Sequence, residues 1–192
     1  MEHMSVREFP LAPYGLRLGT RQEGLRVRGD LVQALEELPE RGVLVVDVSG
    51  LEVLSGSFAD EALVEAVAWL TERGGPGRYL VVRASGAEEV EDLGARLGQR
   101  KLALLALLSE GPRALGHLPP YLAQALDLVH QQGAITSQEL ACELGVSVQG
   151  AAVRLAALAR LRLVHPEPEA RAMGGRQNRA VSLLPQLASP PA

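Results

Sequence analysis

The chain predicts two domains: an α/β domain over residues 11–108 and a smaller α+β domain over 120–185, joined by a linker at 109–119. Three observations carry that expectation. Two apolar runs rich in β-branched residues, 43–48 (VLVVDV) and 79–83 (YLVVR), flank a segment with helical spacing, the pattern of a βαβ unit. Residues 109–120 (SEGPRALGHLPP) hold three prolines and two glycines, a natural boundary. Beyond it, three helix-like segments precede two short strand-like runs. With 47% hydrophobic and 22% charged residues, the 192-residue chain has ordinary globular usage, which excludes bulk disorder. Aromatics are only 3%, so Leu, Val and Ala must fill the core.

In the first domain, 21–38 is a helix candidate. The uninterrupted run at 43–48 reads as a strand buried on both faces. The segment 58–71 places Phe58, Ala62, Val64, Ala66, Val67, Trp69 and Leu70 at helical spacing, and Gly74, Gly75, Pro76 and Gly77 end it. The run at 79–83 is the second strand and 87–97 a further helix. Residues 102–108 (LALLALL) suit a last strand or, by their Leu and Ala content, a helix. In the second domain, Pro120 occupies a first-turn position, 121–132 follows as a helix, and Gly133 stops it. Ala134 and Ile135 make a short strand. Thr136 and Glu139 form a capping box. That helix runs to Leu144, Gly145 turns the chain, and Ser147 caps a third helix over 148–161. Strands are expected at 163–165 and 180–184, with Gly174 and Gly175 in the loop between them.

The segment 140–158 (LACELGVSVQGAAVRLAAL) has a small residue, Ala141, where two helices would cross, and a flexible Gly145 in the turn. Ser147 caps the second helix, and Ala151, Leu155 and Leu158 point inward from it. Over roughly 120–184 this resembles the winged helix-turn-helix family of bacterial regulators. The resemblance implies a recognition helix at 148–161, set in the major groove of double-stranded DNA, and a wing at 163–184 against the backbone or minor groove. The DNA-binding residues it implies are Ser147, Gln149, Arg154, Arg171, Arg176, Gln177, Asn178 and Arg179. Gln149 and Arg154 are the recognition-helix side chains suited to a base edge, and the wing arginines suit phosphates or a narrow minor groove. The net charge of −4 argues against a general nucleic-acid binder, but the charge is uneven. Residues 1–116 carry 13 Arg or Lys against 18 acids, whereas 146–181 carry six Arg against Glu167 and Glu169, a net of +4. The groove-facing positions Val148, Gln149, Ala152, Val153 and Ala156 are mostly apolar or small. That composition keeps open a second reading, a winged helix serving as a protein–protein or dimerisation module.

Residues 47–63 (DVSGLEVLSGSFADEAL), preceded by Gly19, Thr20 and Arg21, resemble the STAS-like domain of unknown function. Its hallmark is the run Ser57-Phe58-Ala59-Asp60-Glu61. More distantly, residues 14–108 are similar to the STAS domains of anti-sigma-factor antagonists. The resemblance implies an α/β STAS-like fold with Ser55, Ser57, Asp60 and Glu61 as partner or regulatory residues. In the antagonists a serine at the start of this helix is phosphorylated. That position falls here on Gly56, which has no hydroxyl. The residues themselves read differently: Ser57 as a helix N-cap with Asp60 completing a capping box, and Asp47 as a carboxylate that orders its turn.

The single cysteine, Cys142, excludes a disulfide within the chain, fits a reducing compartment, and reads as a small buried thiol. No stretch approaches 18 apolar residues and Met1 to Pro10 has no apolar signal core, so a cytoplasmic protein with no membrane partner is expected. His117, His130 and His165 have no ligand-spaced partner, and no cofactor or metal is expected. With no nucleophile–base pair, the expectation is a DNA-binding transcriptional regulator, not an enzyme. Its first domain would be a sensory or protein-interaction module. The partners expected are double-stranded DNA, a second copy of the chain in a homodimer, held by the first domain, the run 102–108 or the first helix of the second domain, and a regulatory protein. The alternative is a protein-interaction adaptor in an anti-sigma or kinase-type signalling system.

Overall fold

The computed structural model describes residues 4–170 and 176–187, without the side chains of 168–170, 176–178 and 186. The chain divides into two compact units, Met1–Leu118 and Pro119–Ala192.

The first unit is a mixed α/β fold. Its elements are β1 (Ser5–Pro10), β2 (Arg17–Leu18), α1 (Arg21–Glu37), β3 (Gly42–Asp47), β4 (Val53–Leu54), α2 (Gly56–Ala59), a π-helical turn (Asp60–Val64), α3 (Glu65–Glu72), β5 (Arg78–Arg83), α4 (Glu91–Gln99), β6 (Ala103–Leu108) and β7 (Gly111–Gly116). The main sheet has the order β1-β3-β5-β6-β7, parallel from β1 to β6 and antiparallel at β7; β2 and β4 pair separately. Helix α1 starts where Thr20 Oγ1 accepts from the Glu23 N–H and the Glu23 carboxylate reaches back to the Thr20 N–H. Its apolar stripe, Val27, Leu31 and Leu35, joins Phe58, Leu63, Val67, Leu93 and Leu97 and one sheet face, Leu44, Val46, Leu80, Val82, Leu104 and Ala106, in one core. The alternate strand residues Val43, Val45, Tyr79, Val81 and Leu105 are buried too, as the continuous apolar runs require.

Three differences from the sequence expectation stand out in this unit. The ordered chain begins before residue 11, since β1 is the outer parallel strand beside β3. The segment 109–119 is not a linker, because β7 occupies most of it and pairs with β6. Glycine and proline there have positional meaning. The His117 N–H bonds to the Leu102 carbonyl at 2.8 Å, so Pro112, Ala114 and Gly116 face away from β6 by alternation. A proline at such an outward position removes no ladder bond. By the same parity, the Leu11 N–H bonded to the Asp47 carbonyl turns Pro10 outward on β1. Finally, most of 102–108 is core and not apolar surface: Leu104, Leu105, Ala106 and Leu108 are buried within the sheet, and Leu102 and Leu107 are partly buried.

The second unit runs α5 (Pro120–Gln132), β8 (Ala134–Thr136), α6 (Ser137–Leu144), α7 (Val148–Arg160), β9 (Val164–Ala170), β10 (Arg176–Ser182) and α8 (Leu184–Leu187), with an antiparallel sheet of order β8-β10-β9. The start and stop signals act as read. Pro120 opens α5, Gly133 ends it at φ 76°, the Thr136–Glu139 capping box starts α6, and Gly145 closes α6 in the left-handed region at φ 63°. The hairpin strands are longer than 163–165 and 180–184. Pro166 and Pro168 lie two apart on the outer strand β9, where alternate prolines are compatible with pairing to β10. Among the described residues no single helix is long and apolar enough to cross a membrane.

Candidate nucleic-acid interface

Helices α6 and α7 are joined by Gly145, Val146 and Ser147, and their axes differ by 112°. The turn is fixed from both ends. The Val146 N–H bonds back to the Ala141 carbonyl at 3.1 Å. Ser147 Oγ accepts from the Gly150 N–H at 3.0 Å, which caps α7. Ala141 is buried beside this turn, and Ala151, Leu155 and Leu158 face inward from α7. An angle between about 90° and 120° about a short, often glycine-containing turn is a recurring way of joining two helices.

The clear face of α7 is defined by exposure. Val148, Gln149, Ala152, Val153, Ala156 and Arg160 are exposed, with Val148 at 44% and Val153 at 61%. At roughly 100° per residue these six fall within about 140° of the helix circumference. Ser147 lies at the N-terminal end of this stripe and Gln149 within it. Arg154 does not join them. Its guanidinium packs over the Tyr121 ring of α5, 5.5 Å from the centroid, on the other side of the helix. Arg160 is the polar residue that sequence reasoning missed; its signal was the helical stripe 149, 153, 156, 160.

On the hairpin, Arg179 stands opposite Glu167 and pairs with it at 2.7 Å, while its Nε is buried with no hydrogen-bond partner. Arg179 also lies near Glu139, whose carboxyl is held below its ordinary range first by the Thr136 hydrogen bonds and less by this cation. Arg176, Gln177 and Asn178 are on β10 opposite Ala170, Glu169 and Pro168, but their side chains, and all of Arg171, Gly174 and Gly175, are outside the described residues. His130 ties α5 to the sheet through Nδ1 and Ser182 Oγ, 2.8 Å apart, and burial pushes its pKa down. Cys142 is exposed, not buried as expected, because the crossing position is filled by the neighbouring Ala141 and the thiol points outward.

In the first unit the helix after β4 begins at Gly56, two residues ahead of its first apolar residue, so the cap is Ser55 and not Ser57. Ser55 Oγ accepts from the Phe58 N–H at 3.2 Å and donates to the Gly19 carbonyl at 2.7 Å. Asp60 and Glu61 lie in the π-helical turn. Glu61 pairs with Arg28 at 2.7 Å, and Arg21 lies 3.9 Å from both acids. The Asp92–Arg96 pair, 3.2 Å apart, lies over Gly56, and any Cβ there would clash with both side chains. Asp47 orders its turn as read, accepting from the Ser49 N–H at 2.9 Å. The structure thus engages Ser55 and Glu61 internally and leaves Ser57 without a capping role. No protein-family model matches the chain, and no curated protein matches it.

Proposed function

We propose that the chain is a DNA-binding regulator whose second unit is a winged helix-turn-helix, with α7 as recognition helix and the β9–β10 hairpin as wing. The observation that carries this reading is the 112° crossing of α6 and α7 about a three-residue turn, with the exposed stripe of α7 clear of the unit's own core. The element order α5-β8-α6-α7-β9-β10 and the net +4 over residues 146–181 support it, since cationic flanks attract a phosphate backbone whatever the total charge. The first unit, STAS-like in this reading, would carry the sensory or partner contact. Fluorescence polarisation with a random-sequence duplex at low salt tests the proposal. Binding whose affinity falls steeply with added salt is expected; no binding at low salt refutes it.

One observation favours a second reading. Val148 and Val153, exposed on the same face of α7, would equally suit a protein groove. In that case the chain is an adaptor, and the polarisation measurement returns no duplex binding.

A further inference from the structure

We infer that α7 selects A·T-rich DNA by contacting the 5-methyl groups of thymine. This rests on the DNA-binding reading above and names the sequence class that reading would take.

The exposed stripe of α7 is unusual in what it holds. Four of its six residues are small and apolar, Val148, Ala152, Val153 and Ala156, and Arg154 is drawn away to Tyr121. A major groove offers one apolar group on its base edges, the thymine methyl; every other distinguishing feature is a hydrogen-bond donor or acceptor. A valine or alanine facing guanine or cytosine would cover polar atoms without satisfying them, which is unfavourable. Facing thymine, it buries a methyl. The polar residue near the N-terminal end of the stripe points the same way. Gln149 has the amide that pairs in bidentate fashion with adenine N6 and N7. It lies one helical turn from Ala152 and Val153, so a single A·T pair can present adenine to the amide and its thymine methyl to the apolar side chains. The short side chains, with Gly150 beside them, also let the helix backbone approach the base edges closely. Arg160 at the end of the stripe and the arginine excess over 146–181 supply the charge complementarity to the flanking phosphates.

The test removes the methyl and nothing else from the major-groove edge. The full-length protein is titrated into alternating poly(dA–dT), and into poly(dA–dU), in which uracil keeps every hydrogen-bonding group of thymine. Alternating poly(dG–dC) and its 5-methylcytosine form make the converse pair. Binding is expected to be tighter to poly(dA–dT) than to poly(dA–dU), by about fourfold for each methyl in contact. Methylation of poly(dG–dC) should recover part of that preference. The variants Ala152→Ser and Val153→Ser, at exposed helical positions, should lose most of the preference for the thymine over the uracil polymer. Equal, salt-sensitive binding to the thymine and uracil polymers overturns this inference and leaves the DNA-binding reading intact. No binding to any of the four polymers at low salt overturns both and assigns the apolar face of α7 to a protein partner.

Discussion

At Ser55 one hydroxyl holds two pieces of backbone, the first turn of α2 and the Gly19 carbonyl before α1. Replacing it with alanine leaves a helix terminus uncapped, and Ser55→Ala should lose about 1 kcal/mol or somewhat more in urea unfolding. Ser57→Ala should stay within about 0.5 kcal/mol of the parent, since Ser57 caps nothing. His130 gives a second prediction at this scale. Its folded pKa is pushed below the ordinary 6.5 by burial. Just below that pH the unfolded chain takes up a proton that the folded chain refuses. Stability therefore falls as the pH drops from about 6.5 toward the lowered folded value. His130→Gln, which keeps a polar partner for Ser182, should flatten the pH dependence of the unfolding midpoint across that window. The Glu139 capping carboxylate acts lower on the scale: its contribution is present above its ordinary value of 4.5 and is lost as the pH falls through the depressed folded value.

At the scale of the element, the packing of α1 on the π-helical turn decides between two glycines of the same helix. Glycine in a helix interior ordinarily costs about 1 kcal/mol relative to alanine. Gly29 has nothing within 4 Å of an added Cβ, so Gly29→Ala should raise the thermal midpoint. At Gly24 the added carbon would stand 2.9 Å from Glu61 Cβ and 3.0 Å from the Phe58 carbonyl, so Gly24→Ala should lower it. Calorimetry on the two variants reads opposite signs if α1 and the π-helical turn are packed as described. What the sequence revealed divides along the same lines. Local signals with a hydrogen-bonding mechanism were legible, namely the Thr136–Glu139 box, Gly133, Gly145 and the Ser147 cap, because each is decided within four residues. Strands β1 and β7 were not, because SVREFP and GPRALG have no apolar period of their own and become strands only by pairing with β3 and β6. The cap at Ser55 was missed by taking the helix start from its first apolar residue. On α7, the Ser147 cap and the exposed place of Gln149 were legible from helical spacing, whereas the diversion of Arg154 depends on Tyr121, 33 positions away in the chain.

At the scale of the whole molecule, charge is partitioned between the units. Residues 1–118 carry 13 basic and 18 acidic side chains, and residues 119–192 carry six arginines and five acids, so a chain at −4 contains a second unit at +1. Long-range repulsion from the first unit then slows the approach of a polyanion. A fragment 119–192 should bind duplex more tightly than the full chain at low salt, and the gap should close as added salt shortens the Debye length to about 8 Å at physiological strength. Titration of both proteins into one duplex over a salt series checks this. A fragment that binds more weakly at every salt concentration would instead favour dimerisation through the first unit as the source of affinity.

The outward prolines at the two borders of the main sheet bear on how this protein behaves when it is concentrated and stored. An open five-stranded sheet has two rims on which a second molecule's strand can seat, and such seating repeated head to tail grows filaments. Pro10 and Pro112 each delete a donor from the rim on their side, one on a parallel border and one on an antiparallel border. Neither rim offers an unbroken row of donors to a seed, and the two exposed rings weigh against strand-on-strand association without taking part in the core.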